Sequence, residues 1–413
     1  MKRLQDPARA AREKRQSRKL TPGAYADDIQ ATGPLQLGLA AIQLVKEKGP
    51  AFGIRLNTAK TKLVVKHRDL TAAQQILATS SVPEVQVVLS ARNLGGVIGS
   101  EQAKLEFQKD NANRWAEEVK KLARIGPDNP QAVYTAFTLS QKAKWQYQQR
   151  VCKCENAEEV YGVIEQAIRD CMIPRLTGWN NTSPAERQML SLPVRHGGVT
   201  IDSPVQSAGE NYKASIEATA VFQSLIIEGS DMQVEDIHAH NKQFVGTTSQ
   251  HKSERRERHQ KEATALATNK NPHKLPPDRI RAFNRAREEN TGYFLLARPL
   301  ESVGFRLTKD EWYDGISAHY NSTLISAPTF CDGHPLVRYT LEHALTCPKG
   351  SNRIHRHDTI KNALQMVAHK AVGASVLCRA RTTAYQTRCK RRARQGLQGW
   401  TKRGLENKRH ACI

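Results

Sequence analysis

A Tyr-Ala-Asp-Asp tetrapeptide spans residues 25–28 and places two carboxylates side by side. Hard cations such as Mg²⁺ prefer carboxylate oxygens, and metal-assisted phosphoryl transfer uses them to position oxygens and to neutralise developing charge. Adjacent residues of an extended strand point to opposite faces, so Asp27 and Asp28 act together only if a tight turn presents both. Asp-Asp pairs are also common in solvated turns, and a purely structural turn is therefore the alternative.

The residues around this pair predict a β-hairpin followed by a helix. Residues 29–32 fit the outgoing strand, whereas Pro22 and Gly23 fit the incoming strand poorly because proline removes a ladder donor. The apolar spacing of residues 37–45 is near that of a helix. The next predicted elements are a glycine-rich turn at 49–53, a β-rich segment at 57–65, and a turn with a short strand at 94–99.

The order and wording of these motifs resemble the second half of a reverse transcriptase palm, as encoded by animal retrotransposons of the non-LTR kind. The resemblance covers roughly residues 24–365. It is carried by the tetrapeptide, by Gly49-Pro50 with Asn57 and Lys60-Thr61, by Leu94-Gly95 with Ile98-Gly99, and by residues 130–137, 173–178 and 190–199. Several separate motifs in the expected order make the resemblance specific.

The resemblance implies a catalytic role for Asp27 and Asp28, which would hold two Mg²⁺ ions. The reaction would be RNA-directed DNA synthesis, a nucleotidyl transfer from deoxynucleotides onto an RNA or DNA primer-template.

The resemblance also implies a set of residues that bind nucleotide or nucleic acid. Lys60 would lie near the incoming nucleotide, Tyr25 and Lys62 would also bind nucleotide or nucleic acid, and the segment that contains Gly95 and Gly96 would support the primer end. Two solvated surface lysines are the alternative for Lys60 and Lys62.

The chain departs from this family at both ends. A complete palm carries another metal-binding aspartate on an earlier strand, and fingers that hold template and nucleotide, but only 24 residues precede Tyr25. No carboxylate core of the endonuclease type that follows in related elements occurs after Asp358. Two-metal chemistry needs a clamp on both the attacking and the leaving oxygen. We therefore expect a truncated fragment that is inactive or nearly so unless a partner supplies the missing palm and fingers.

Basic residues are concentrated at the two ends of the chain. The net charge is +23, of which residues 1–20 contribute +6 and residues 377–413 contribute +10. Such arms are predicted to be disordered and to bind nucleic-acid phosphates without sequence preference. A solvated tail is the alternative, and residues 390–394 also fit a nuclear import signal.

The composition favours an intracellular protein, nuclear or cytoplasmic, with no membrane partner. No apolar run is long enough to span a membrane, and the first residues lack the apolar segment of a signal peptide. Eight cysteines without a secretory context predict reduced thiols rather than a disulfide framework.

The middle of the chain is predicted to be mostly helical. Trp115, Val119 and Leu122 share one helical face, and Asn156 with Glu159 fits a helix start. Aromatic residues in this region are better explained as core than as base-stacking surfaces. Residues 251–261 are almost wholly charged or polar, which predicts an exposed helix or linker and a domain boundary.

The predicted fold class is α+β, with a small partial palm sheet and helices, a mostly helical thumb-like domain, a small Cys/His-rich module and disordered basic termini. The predicted divisions are a basic arm at 1–20, a partial palm at 21–105, a thumb-like domain at 106–248, a charged helix or linker at 249–275, a helical segment with the Cys/His motif at 276–376, and a basic tail at 377–413.

A second group of chemically active residues lies at Cys331, His334, His343 and Cys347. Their Cys-x2-His-x8-His-x3-Cys spacing can fold around tetrahedral Zn²⁺. The region also resembles a Cys/His motif of the same retroelements, although that motif has two cysteines before its glycine and here only Cys331 precedes Gly333. Either His334 substitutes for the missing cysteine or the loop has lost zinc.

Two classes of function follow from the sequence. One is a component of an RNA-directed DNA polymerase, and the other is a catalytically silent protein that binds nucleic acid through helices, zinc loop and basic arms. We expect the first as ancestry and the second as the behaviour of the isolated chain. An unrelated metal-dependent hydrolase is a weaker third hypothesis, because the acidic pair and the histidines are far apart in sequence.

Overall fold

The fold was analysed in a computed structural model, which describes residues 20–25, 28–228, 230, 232–270, 274–322, 330–339, 343, 346–349 and 352–372. It is mostly helical with a few small sheets, which confirms the α+β prediction at that level. None of the described helices is long and apolar enough to cross a membrane. Residues 1–19 and 377–413, which make up nearly all of the two predicted basic arms, lie outside the described residues.

The chain divides into two compact units, Met1–Pro328 and Thr329–Ile413. The sequence places a domain boundary within residues 249–275, but residues 251–267 continue one long helix, Val234–Ala267. This helix is largely exposed, as its composition predicts. Ala263 and Leu266 near its end are buried in the core of the first unit, so the charged stretch is joined to the core that follows it.

The first described element is a hairpin of β1 (Thr21–Tyr25) and β2 (Asp28–Thr32), in which Tyr25 pairs with Asp28. The predicted hairpin therefore forms around the acidic tetrapeptide. Pro22 and Gly23 lie within β1 despite their poor fit to a strand. Each strand of a two-stranded sheet has an open edge, where a missing N–H need not cost a ladder bond.

Short strands and helices follow this hairpin. They are α1 (Leu35–Lys48), β3 (Lys62–Val64), α2 (Leu70–Ala78), β4 (Gln86–Val88), β5 (Ser90–Asn93) and β6 (Gly96–Gly99). The helix predicted at residues 37–45 is thus confirmed. A small core of Leu39, Leu77, Val82 and Val85 holds this part together.

The strands of the described residues form four separate two-stranded sheets instead of one partial palm sheet. β3 and β4 are parallel, and β5 and β6 form an antiparallel hairpin. Leu94 and Gly95 connect β5 to β6 with φ of 46° and 79°. Two positive φ angles match the twist of a hairpin, and glycine adopts one without strain.

Helices make up the rest of the first unit. They are α3 (Glu101–Ile125), α4 (Pro130–Ala136), α5 (Lys142–Val151), α6 (Ala157–Ala167), α7 (Ile173–Thr177), α8 (Pro184–Ser191), α9 (Pro204–Ala218), α10 (Ala220–Glu228), α11 (Val234–Ala267), α12 (Pro277–Ala286), α13 (Tyr293–Leu296) and α14 (Lys309–Tyr320). Side chains from α3 to α14 share one apolar core, which contains Trp115, Tyr134, Phe137, Trp145 and Trp312. The prediction that the aromatic residues form core is confirmed.

Local signals set several of these helix starts. The Ser100 hydroxyl accepts a hydrogen bond from the backbone N–H of Ala103 and begins α3. The Asn156 side chain accepts one from the N–H of Glu159 and begins α6, as the sequence predicts. Each cap satisfies an N–H that has no partner inside the helix.

The second unit contains a hairpin of β7 (Phe330–Cys331) and β8 (His334–Arg338), and the helix α15 (Asn352–Val372). Residues 343 and 346–349 between them are also described.

A loop at residues 192–202 crosses the core of the first unit between α8 and α9. The Tyr134 hydroxyl donates to the carbonyl of Val199 at 2.9 Å, and the Tyr320 hydroxyl donates to that of Gly197 at 2.9 Å. An added Cβ on Gly198 would lie 2.0 Å from the carbonyl oxygen of Leu192. Only glycine permits this backbone approach.

We expect Gly198→Ala to lower the free energy of unfolding by about 3 kcal/mol or more, because backbone must move to relieve the clash. Gly209→Ala is the matched control: Gly209 lies inside α9 with nothing within 4 Å of an added Cβ. Alanine there should be neutral or stabilise by up to about 1 kcal/mol. Urea unfolding followed by circular dichroism measures both. Equal stability of the two variants would contradict the packing of this loop.

His319 makes the first unit sensitive to acid. It is 8% exposed, and burial, with a smaller contribution from Arg285, lowers its pKa from 6.5 to about 4. Between those values the unfolded chain binds the proton more readily, so stability is fully present above pH 6.5 and falls as the pH drops toward 4. The loss should approach about 1.4 kcal/mol per pH unit. Urea unfolding at several pH values measures the free energy of unfolding. This free energy should fall less steeply with decreasing pH in His319→Gln than in the wild-type chain. His238→Gln, a substitution at an exposed position, should keep the wild-type pH dependence.

Candidate metal centre

The β7–β8 hairpin brings the first two predicted zinc ligands together. Cys331 and His334 are cross-strand partners on either side of the Asp332-Gly333 turn. The Lys349 ammonium donates to the carbonyl of Gly333 at 2.6 Å. An added Cβ on Gly333 would lie 3.0 Å from the Lys349 side chain, so glycine lets this lysine cover the turn.

A single helical turn brings the other two ligands together. The N–H of Cys347 donates to the carbonyl of His343 at 2.7 Å. Residues four apart in a helical turn lie on the same face. The local spacings x2 and x3 of the sequence therefore each place a pair of side chains side by side.

The two pairs meet in one cluster. One ligand atom from each of Cys331, His334, His343 and Cys347 lies within 4.8 Å of the others. The two Sγ atoms are 3.9 Å apart, and His334 Nδ1 lies 3.5 Å from Cys347 Sγ and 3.8 Å from Cys331 Sγ. The His334 and His343 rings are nearly perpendicular, with centroids 5.5 Å apart.

These distances fit tetrahedral zinc. Bonds of about 2.3 Å to sulfur and about 2.0–2.1 Å to nitrogen place two sulfurs about 3.8 Å apart, and sulfur about 3.5 Å from nitrogen. Both cysteines are 6% exposed, and both histidines are half-buried. Four protein ligands leave no open position for a substrate, so the site suits a structural metal rather than a catalytic one. The predicted zinc ligands are thus brought together in a site that could bind a metal such as Zn²⁺.

His355 and His357 do not join the cluster. Both side chains are exposed on α15, and His357 Nδ1 lies 3.4 Å from a carboxylate oxygen of Asp358.

The predicted magnesium site has no comparable support. Asp27 lies outside the described residues, and Asp28 is an exposed residue at the start of β2. Within the part of the chain that the structure describes, the Cys/His cluster is the one group of three or more His, Cys, Asp or Glu side chains that could hold a metal. The described residues therefore do not assemble a carboxylate site for Mg²⁺ around Asp28.

Two of the other predicted nucleotide-binding residues, Lys60 and Lys62, are exposed. Lys60 ends a turn in which its backbone N–H donates to the Asn57 side chain. Lys62 begins β3. Tyr25 is the last residue of β1. A hydrogen bond of 2.7 Å from Asn93 Nδ2 to Gln30 Oε1 connects β5 to β2.

Gly95 and Gly96 lie where the β5–β6 hairpin meets α5. The Tyr147 hydroxyl donates to the carbonyl of Leu94 at 2.6 Å, and a Cβ on Gly95 would lie 2.7 Å from the Tyr147 ring. Glycine at position 95 therefore permits the close approach of a tyrosine ring.

Sequence reasoning missed a cationic cleft between the turn Val194–His196 and α11, lined by Arg195, His196, Arg256, Glu257, Gln260 and Lys261. Its two sides are far apart in the sequence. No local spacing could have joined them.

We expect the purified chain to bind one Zn²⁺ and Cys347→Ser to weaken zinc binding by more than about 100-fold, because a hydroxyl replaces a thiolate ligand. Competition with a chromophoric chelator measures the affinity. Cys171→Ser is the control, since Cys171 is a free, half-buried thiol in the first unit. Equal zinc affinity in the two variants would refute the site.

The candidate metal centre is inferred from the positions of its own four side chains. No family model, curated protein or solved structure matches the chain.

Proposed function

We propose that the chain is a nucleic-acid-binding protein of reverse transcriptase descent whose Cys/His module is organised by Zn²⁺. The observation that carries this proposal is the convergence of Cys331, His334, His343 and Cys347 at tetrahedral spacing. A hairpin and a helical turn joined by a closed zinc site form a small scaffold of the kind that nucleic-acid-binding proteins use.

Charge supports the choice of ligand. A chain with a net charge of +23 attracts polyanions, and neutralising phosphates with lysine and arginine releases counterions. Binding through this effect is largely independent of sequence and weakens steeply with salt. The proposed partners are RNA or DNA.

Three features support the proposed descent. Tyr25 and Asp28, the two ends of the Tyr-Ala-Asp-Asp tetrapeptide, pair across the β1–β2 hairpin. A second hairpin turns at Leu94-Gly95, where the resemblance implies support of a primer end. The helices from α3 onward follow these hairpins, in the order of a palm and a thumb.

Nucleotidyl transfer is the second candidate, and the β1–β2 hairpin favours it. In that case Asp27 and Asp28 would hold Mg²⁺, which would supply charge neutralisation at the transferred phosphate. Silent binding is preferred because Asp28 belongs to no group of three or more described side chains that could hold a metal ion.

We expect the purified chain to bind a mixed-sequence RNA oligonucleotide with strong salt dependence and to incorporate no deoxynucleotide on a primed poly(rA) template with Mg²⁺. Fluorescence anisotropy at several salt concentrations measures the first, and primer extension measures the second. A logarithmic salt slope of about −0.7 per phosphate contact is expected for a single strand.

Substituted variants show whether any deoxynucleotide incorporation that does occur depends on the acidic pair. Synthesis that is lost in Asp27→Ala and kept in Asp110→Ala, an exposed carboxylate of α3, would replace silent binding with polymerase activity. Absence of RNA binding at low salt would refute the proposal itself.

A further inference from the structure

A cleft of about 640 Å³ lies between the turn Val194–His196 and the last third of α11. Its lining consists of Arg195, His196, Arg256, Glu257, Gln260 and Lys261. Three of these side chains are cationic and only Glu257 is anionic. The cleft therefore carries a net positive charge while His196 is neutral.

The cations of the cleft differ from their neighbours on the same helix. Arg255 and Arg258 are paired with Glu210, and Arg258 also approaches Glu262 at 3.7 Å. Among the described residues, no ion pair involves Arg195, Arg256 or Lys261, and all three are exposed. The fold pairs Arg255 and Arg258 with carboxylates and leaves the three cleft cations without an ion pair among the described residues.

The turn holds one of these cations in place through a histidine. Arg195 Nε donates to His196 Nε2 at 3.2 Å, which requires a neutral imidazole with Nε2 as acceptor. His196 is 8% exposed, and its ring lies 6.2 Å from that of His259 on α11. Arg195 is thus positioned at the cleft by a buried ring.

The histidines report the positive potential of this region. Burial is the main cause that lowers the pKa of His196, and the charged neighbours that lower it further are Arg195, Arg287 and Arg256, while Gln260 acts in the opposite direction. Burial likewise lowers the pKa of His259 to about 4, assisted by Arg258, His196, Arg255 and Arg195. The strongest charged neighbours of both rings are cations.

We propose that this cleft binds a phosphate of a nucleic-acid backbone, held by Arg195, Arg256 and Lys261. Arginine forks and a lysine ammonium are the side chains that bind phosphate oxygens most effectively. Gln260 adds an amide donor beside them. This inference rests on the proposed nucleic-acid-binding function and adds a defined contact site to it.

A backbone phosphate fits the cleft better than an isolated anion, because further cationic surface extends from it along the helix. Lys252 and Arg256 are four residues apart on α11, so they lie on the same face. Lys252 is exposed as well. A strand of phosphates lying on this face would contact the cleft and continue past Lys252.

The test compares Arg256→Gln/Lys261→Gln with Lys121→Gln/Lys242→Gln, which removes two exposed lysines outside the cleft lining. Anisotropy with a single-stranded RNA oligonucleotide of 16 nucleotides is measured between about 0.05 and 0.2 M salt. The cleft variant should bind about tenfold more weakly, and the magnitude of its logarithmic salt slope should fall by about 1.4, which corresponds to two lost contacts. The control should lose less than about twofold.

A second readout follows the His196 ring by NMR during a pH titration. Adding the oligonucleotide should raise the pKa of His196 in the wild-type chain, because a phosphate offsets the arginines, and should not do so in the cleft variant. A pKa that rises with pyrophosphate and not with the oligonucleotide would overturn the backbone assignment.

The outcomes separate this inference from the proposed function. Wild-type RNA binding that stays unchanged in the cleft variant would overturn the cleft alone. Absence of RNA binding by the wild-type chain would overturn both.

Discussion

The backbone of residues 192–202 runs through the helical core, and each carbonyl that it buries there needs a donor, because an unpaired buried carbonyl costs about 1–3 kcal/mol. Tyr134 on α4 and Tyr320 on α14 supply two hydroxyls, and Arg187 on α8 donates from Nη1 to the carbonyl of Ile201 at 2.7 Å. Burial raises the pKa of both tyrosines, so they remain protonated donors. One stretch of irregular backbone therefore connects three helices through hydrogen bonds from their side chains.

Arg187 fills this role only because its charge is matched. It is 3% exposed and contacts both carboxylate oxygens of Glu165 on α6, at 2.8 and 2.9 Å. Burial by itself would raise the pKa of Glu165, but hydrogen bonds and charges from Arg187 and Arg169 outweigh it and lower the pKa. Removing one partner of such a pair leaves a buried charge, which is far more costly than the pair itself. The outer side of the same loop carries Arg195 and His196, so the core contacts that fix the loop also fix one wall of the cationic cleft.

How much the sequence predicts depends on how local each arrangement is. The grouping of the four predicted zinc ligands follows from spacing, since Cys331 and His334 face each other across a hairpin turn and His343 and Cys347 share a helical turn. The hairpin at the acidic tetrapeptide is local as well, since Tyr25 pairs with Asp28 three residues on. The cleft cannot be predicted from local spacing, because Arg195 and Arg256 meet only through packing of α11 against the core. The charged stretch at 251–261 has the composition of a linker, and only burial of Ala263 and Leu266 further on shows why it remains helical.

The two units differ in what stabilises them. The first has an extensive apolar core, whereas the described part of residues 330–349 buries Cys331 and Cys347 and leaves Leu336 96% exposed. If the site binds zinc, metal binding supplies much of the folding free energy of the hairpin and helical turn, since structural zinc sites contribute about 10–16 kcal/mol. Zinc removal should therefore unfold the module and leave the helical unit folded. If both units bind nucleic acid, chelation of zinc abolishes binding by the Cys/His module and leaves binding by the cleft intact. The share of each unit in binding can then be measured without a substitution.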